Sequence, residues 1–439
     1  MSRKHIYDKD GRYSFLYPIV GCCIRNSYRK VEIAGEENIP ADGAQIACPN
    51  HCNTLMDALV MLRAYKKITV FGARADIFRK RTAARFLTFA RILPLVRQRD
   101  GIRNVLQNNK TQETIVDTLK HNVRFCLFPE GTHRTKHSLQ TLGKGAMRIA
   151  LAANEEFGDK KPVYLLPVGL EYGDYFRYRS TSLITYGKPI NVTEFLKNNS
   201  FDSEPQAIDA LRKALSQEMT QLITYIPSDE LYEGKWALTK MLAIEDSCRG
   251  YGDRFTKLSS SMAKNRAIVK SIEDRLAEKP EEMSEIIRRS EEFENDRKKA
   301  NVSIYSFRKN NNVLSAIFKT LSAAIGLPYF IYSAITSLPM WAIEMKIRKG
   351  IKDPAFGNTV SFGIKLGIGF ILFCIYTVLG FCLAPWWLAL ALIALWMPSF
   401  SYFHDYIEGC RRWFSDIRLM YNRQLKDQFQ RIVNDYKQL

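Results

Sequence analysis

No Cys-x-x-Cys pair occurs in the 439 residues, and the nine cysteines are an odd number. Cys22 and Cys23 are adjacent, while Cys374 and Cys382 fall inside an apolar run. This excludes a disulfide framework and points to a reducing compartment for the globular part. His-Glu-x-x-His is absent, and Glu130, His133 and His137 fall across a glycine turn, so no metal site is expected. The chain has no Gly-Lys-Ser or Gly-Lys-Thr of the P-loop type, no internal repeat and no low-complexity tract. Acidic residues are scarce between Arg63 and Arg103, where Asp76 and Asp100 face twelve Lys or Arg within a chain of net charge +19. Charge is missing altogether from Thr320 to Ile343 and from Leu366 to Phe403.

These last two absences belong together. The second uncharged run is too long for one membrane span and fits two short ones. A basic stretch in the same chain suits an anionic lipid surface, and no nucleic-acid motif accompanies it. Pro328 and Pro339 interrupt the first run, which is expected to be re-entrant or to lie in the interface. The second run is expected to be a hairpin turning at Ala384-Pro385-Trp386-Trp387. Lys and Arg flank both runs, which predicts that the flanks share the cytoplasmic face. The charged N-terminus and the short run Phe15–Ile24, broken by Pro18, read as an interfacial anchor rather than a signal peptide.

Between about residues 30 and 190, short apolar runs alternate with stretches of helical spacing. Candidate strands are Val31–Ala34, Gln45–Cys48, Ile68–Ala73, Ile92–Val96, Arg124–Phe128, Tyr164–Val168 and Leu183–Tyr186. Candidate helices between them are Thr54–Tyr65, Arg81–Ala90, Val105–Lys120 and Gly145–Glu155. The fold class that follows is α/β, a mixed and mostly parallel sheet flanked by helices. A helical insertion and C-terminal membrane helices are added to it. The expected divisions are an anchor over 1–29, the α/β domain over 30–200, a helical region over 201–312, a membrane-embedded region over 313–403 and a basic amphipathic tail over 404–439.

His51 follows the apolar run Ile46–Pro49, and Asp57 comes six positions later. A histidine acts as an oriented general base when a carboxylate holds one ring nitrogen. Six positions on a regular helix turn through about 600°, so the two side chains would not face each other there. His51 must therefore precede the helix, with Asp57 on an early turn. Cys52 beside it raises the alternative of a thiol nucleophile. Further on, Phe128-Pro129-Glu130-Gly131-Thr132 is a tight turn in which Gly131 lets backbone N–H groups approach an anion.

In this order and separation, the two clusters resemble the glycerol-phosphate and lysophosphatidate acyltransferase superfamily. Two more stretches resemble its pattern: Ile92-Leu93-Pro94-Leu95-Val96-Arg97 and Leu166-Pro167-Val168-Gly169, the four covering about residues 40–175. The resemblance implies that His51 and Asp57 are catalytic. It implies that Arg97, Glu130, Gly131, Thr132, Arg74 and Lys144 bind substrate, with Arg97 gripping phosphate through two N–H donors. It implies an acyl thioester donor, acyl-CoA or acyl carrier protein, with no other cofactor. The sequence departs from the pattern in two places. Arg91 stands where a glycine normally opens the acceptor strand. Five residues, not the usual four, separate His51 from Asp57, and one wide helical turn would absorb the extra one. The five-residue spacing resembles a branch that acylates glycerol 3-phosphate or dihydroxyacetone phosphate. Lysophosphatidate, another lysophospholipid or an acylated amino acid is the alternative acceptor, and a non-catalytic lipid-binding membrane protein is the reading of another class.

Overall fold

The structure, a computed structural model, describes residues 5–65, 67–96, 105–245, 247 and 256–439. Lys66, Arg97, Arg99 and Arg103 of the basic stretch lie outside the described residues. Contacts divide the chain into two units. The first comprises residues up to Ile24, Val31–Glu171 and Leu183–Ile223; the second comprises Arg25–Lys30, Tyr172–Ser182 and Thr224–Leu439.

The sheet is ordered β1 (Tyr28–Ala34), β7 (Ser180–Tyr186), β6 (Val163–Tyr172), β2 (Ala44–Pro49), β5 (Arg124–Cys126), β3 (Thr69–Arg74), β4 (Ile92–Leu95), with β8 (Ile190–Asn191) beside β6. Strand β2 is parallel to β5 and β6, and β3 is parallel to β4 and β5, while β6 and β8 are antiparallel. All six residues of β2 are buried, because helices cover both faces of a parallel core strand. The strand expected to reach Phe128 ends at Cys126, and the one expected to end at Val168 continues to Tyr172. The first unit also holds α2 (Thr54–Ala64), α3 (Arg81–Phe89), α4 (Val105–Lys120), α5 (Gly145–Phe157), α6 (Val192–Asn198) and α7 (Glu204–Thr220). α1 (Gly11–Ser27) begins in this unit and its last residues count with the other. Ile46, Val70, Phe125, Met147 and Leu165 are fully buried at the centre, and α7 closes it with Ile208, Leu211, Leu215 and Met219.

The second unit has a helical core and an apolar helix group. α8 (Tyr232–Glu245), α9 (Leu258–Glu278) and α10 (Pro280–Lys299) bury Leu238, Ile272, Ile287 and Phe293. The C-terminal α14 (Arg423–Gln438) docks into the same core through Phe429, Ile432 and Val433. Three further helices, α11 (Val313–Lys349), α12 (Gly357–Leu383) and α13 (Trp386–Tyr421), fall in stretches long and apolar enough to cross a membrane. The hairpin turn between α12 and α13 falls at Ala384-Pro385, where expected. Helix α11 runs through Pro328 and Pro339 instead of breaking at them. Pro328 removes the donor that Ala324 would use, and the flanking carbonyls of Ala323 and Gly326 accept from the hydroxyls of Tyr406 and Tyr402 at 2.8 and 3.1 Å.

Candidate active site

The parallel strands β2, β5, β3 and β4 end side by side, so the loops at their carboxyl ends converge. Asn50 extends the β2 ladder with its side chain: its Nδ2 donates to Leu170 O at 3.1 Å, and Leu170 N–H donates to its Oδ1 at 2.6 Å. That amide fixes the point where the chain leaves the sheet. The next residue, His51, is held from behind by the Glu130 carboxylate, which accepts its backbone N–H at 2.6 Å.

Asp57 sits in the first turn of α2, completely buried. Its Oδ2 accepts from the backbone N–H groups of Cys52 and Asn53 at 2.8 and 2.7 Å, and lies 2.8 Å from His51 Nδ1. A carboxylate at a helix N-terminus meets orphan donors and the positive end of the helix dipole. A carboxylate offers only lone pairs, so the facing Nδ1 carries the ring proton and Nε2 is left with its lone pair. Among the described residues, no hydrogen bond reaches Nε2. The imidazole lies stacked on Phe128, ring centroids 4.5 Å apart, with His133 edge-on at 5.8 Å.

The five-residue spacing is met differently from the expected wide turn. α2 is α-helical throughout, and the extra residue is taken up at its start by Thr54, whose φ of 49° is left-handed. A β-branched residue there stores strain, on the order of 1–3 kcal/mol.

Glu130 orders the loop. Its second oxygen accepts the Gln140 N–H at 3.0 Å. Burial pushes its carboxyl above the usual range, and the hydrogen bonds from Gln140 and His51 offset part of that rise. Gly131 has φ 69°, as a tight turn demands. Thr132 O accepts from Gln140 Nε2 at 2.8 Å, and Arg134 N–H returns to His51 O at 3.0 Å. Below the loop, His137 and Glu171 form a buried pair at 3.0 Å.

The remaining sequence candidates are placed as follows. Arg74, at the end of β3, makes an exposed bidentate pair with Asp76 at 3.1 and 2.5 Å. Lys144 stands just before α5 and lies 3.2 Å from Asp209 of α7. Arg97 lies outside the described residues; β4 ends two positions before it, at the same carboxyl edge as His51. Gly169 is where the Leu222 backbone crosses the sheet, and a Cβ there would fall 2.3 Å from Leu222 O. Cys52 does not fit a thiolate nucleophile, since burial pushes its thiol well up and Asp57, Glu171 and Glu130 push further. Among the described residues, no group of three His, Cys, Asp or Glu side chains could hold a metal ion. The sequence reading missed Asn50 and Gln140 as structural partners, although both lie within or beside the motifs.

A carboxylate-oriented imidazole beyond the carboxyl edge of parallel strands has the geometry of a general base. Residues 30–171 match the family model described as Acyltransferase, so the chain carries an acyltransferase domain and is an acyltransferase enzyme. No curated protein matches the chain. Among solved structures, the 1-acyl-sn-glycerophosphate (LPA) acyltransferase of Thermotoga maritima is 18% identical, with 49% of this chain and 83% of that one covered at a TM-score of 0.34. A likeness that loose assigns neither fold nor substrate.

Proposed function

We propose that the protein moves a fatty acyl group from an acyl thioester to a hydroxyl of a glycerol phosphate at a membrane. The observation that carries this reading is the His51–Asp57 pair with Nε2 open. Nε2 takes the hydroxyl proton as that oxygen attacks the thioester carbonyl carbon. The carbon–sulfur bond breaks, the thiol leaves with the proton from the imidazolium, and an ester remains. Asp57 keeps the ring in the productive tautomer and stabilises its charged form. Base assistance of this kind supplies about 10²–10⁴-fold in rate.

Arg97 grips the acceptor phosphate in this proposal. Arg97→Ala then raises the apparent KM for acceptor more than for donor. Lysine restores part of the loss, because a point charge replaces a two-pronged donor. The basic flanks of the apolar helices support a cytoplasmic catalytic domain.

The test is release of free thiol from acyl-CoA by the purified enzyme in the presence of glycerol 3-phosphate, dihydroxyacetone phosphate or lysophosphatidate. Turnover with one of the two small acceptors that collapses in His51→Ala is the expected result. Strict dependence on lysophosphatidate or another lysophospholipid would overturn the small-acceptor assignment.

A further inference from the structure

Helix α11 pairs with its neighbours in an order that a straight rod cannot satisfy. Its first half runs antiparallel to α13. Lys319 is paired with Asp416, Gly326 O accepts from Tyr402 at 3.1 Å, and Tyr332 donates to Leu392 O at 2.7 Å. Its second half runs antiparallel to α12. Thr336 O accepts from Tyr376 at 3.0 Å, and Arg348 donates to Gly357 O at 3.0 Å. Yet α12 and α13 are themselves antiparallel. Tyr376 lies against Trp396 with ring centroids 5.7 Å apart, and Lys365 donates to Ser401 at 3.0 Å. The two halves of α11 therefore point in opposite directions. The reversal falls between Tyr332 and Thr336, with Pro328 and Pro339 on either side of it.

A second observation agrees. Along α13, Tyr332 meets Leu392 and Glu344 comes within 3.8 Å of His404, so α11 descends twelve residues as α13 does. Higher up the same helix, Lys319 meets Asp416. Both ends of α11 thus lie at the end of the hairpin that carries the charges. The opposite end carries the exposed Trp386 and Trp387 and no charge.

We infer that α11 is a re-entrant element, which enters the bilayer from one face and returns to that face, while α12 and α13 form the deeper hairpin. The partner is a lipid bilayer: α11 shows it Ile325, 81% exposed, and Ile335, 68% exposed. From Lys319 to Tyr332 is about 20 Å of helix, too short for a hydrocarbon core of about 30 Å. This rests on the membrane part of the proposed function and not on the acceptor.

Two measurements on the full chain test it. In a cysteine-free version that keeps acyltransferase turnover, spin labels at Val313→Cys and Lys349→Cys in detergent should lie within roughly 35 Å. A straight helix separates them by about 54 Å, and that value would overturn the inference with no membrane involved. In closed vesicles, an impermeant maleimide should reach Lys309→Cys and Lys352→Cys from the same face, with Ile335→Cys protected. Labelling from opposite faces would mean that α11 crosses. Free labelling of Ile335→Cys would remove the bilayer as partner. If the cysteine-free chain lacks turnover, an azide-bearing amino acid at the same positions, coupled to an impermeant alkyne, gives the same readout.

Discussion

At the scale of single residues, the site rests on one carboxylate with three tasks. Asp57 holds the His51 ring, and it also satisfies two backbone donors. His51→Ala is expected to lower turnover about 10²–10⁴-fold with a much smaller effect on thermal unfolding, since the ring lies in a loop and what it loses is one hydrogen bond to Asp57 and the stack on Phe128. Near-normal turnover of that variant would remove His51 from the chemistry. Asp57→Asn is expected to cost both activity and stability. The three donors converge on one oxygen, Oδ2, where a neutral amide oxygen accepts more weakly than a carboxylate, and a buried N–H left unpaired costs about 1–3 kcal/mol. Glu130→Gln separates positioning from substrate contact. The amide nitrogen cannot accept from the His51 or Gln140 backbone, so turnover should fall at saturating acceptor. A rise confined to acceptor KM would instead make Glu130 a substrate ligand.

At the scale of elements, close approach and buried charge set the tolerances. The Gly169 backbone lies under the Leu222 carbonyl, where a Cβ has no room. Gly169→Ala should destabilise by about 1–3 kcal/mol through forced backbone movement, read as a lower Tm. In α10, Glu294 lies 2.8 Å from Lys240 and 2.6 Å from Arg297. Burial alone would push the Glu294 carboxyl up, but Arg297 and Lys240 outweigh it and hold it down to about 2. A depressed folded-state value stabilises above the unfolded value near 4.3 and is lost as pH falls toward 2. Glu294→Gln should therefore lower Tm clearly at pH 7, by an amount equivalent to about 3–5 kcal/mol, and much less near pH 2. An equal loss at both pH values would mean the pair is not what stabilises α10.

At the scale of the whole molecule, charge and apolar surface are segregated along the chain. The net charge is +19, and over half of it falls between Arg63 and Arg103. The exposed apolar side chains are concentrated in α11, α12 and the first half of α13, with Leu383 81% and Trp386 68% exposed. Contiguous apolar surface of this extent marks contact with lipid or protein. High salt screens the basic stretch but does not weaken burial of apolar area. The protein should stay with membranes in salt washes and come off with detergent, as fractionation of a native membrane preparation would show. Release by salt alone would assign attachment to charge.

The sequence by itself determined the alternation of strands and helices, the parallel core, the places of His51 and Asp57 around a helix start, and the α12–α13 turn. Each of these follows from local periodicity or from a short-range constraint such as proline, glycine or an uncharged run. It did not determine the left-handed Thr54, because five residues between two side chains fit several local paths. Nor did it show that Glu130 holds the His51 backbone, that Leu222 crosses Gly169, or that α14 belongs to the core of α8–α10. These depend on partners distant in the chain, whose approach no local pattern encodes. For α11 the two levels divide the work. The prolines announced an interruption, and the pairing with α12 and α13 places the change of direction between them, between Tyr332, held on Leu392 of α13, and Thr336, held on Tyr376 of α12.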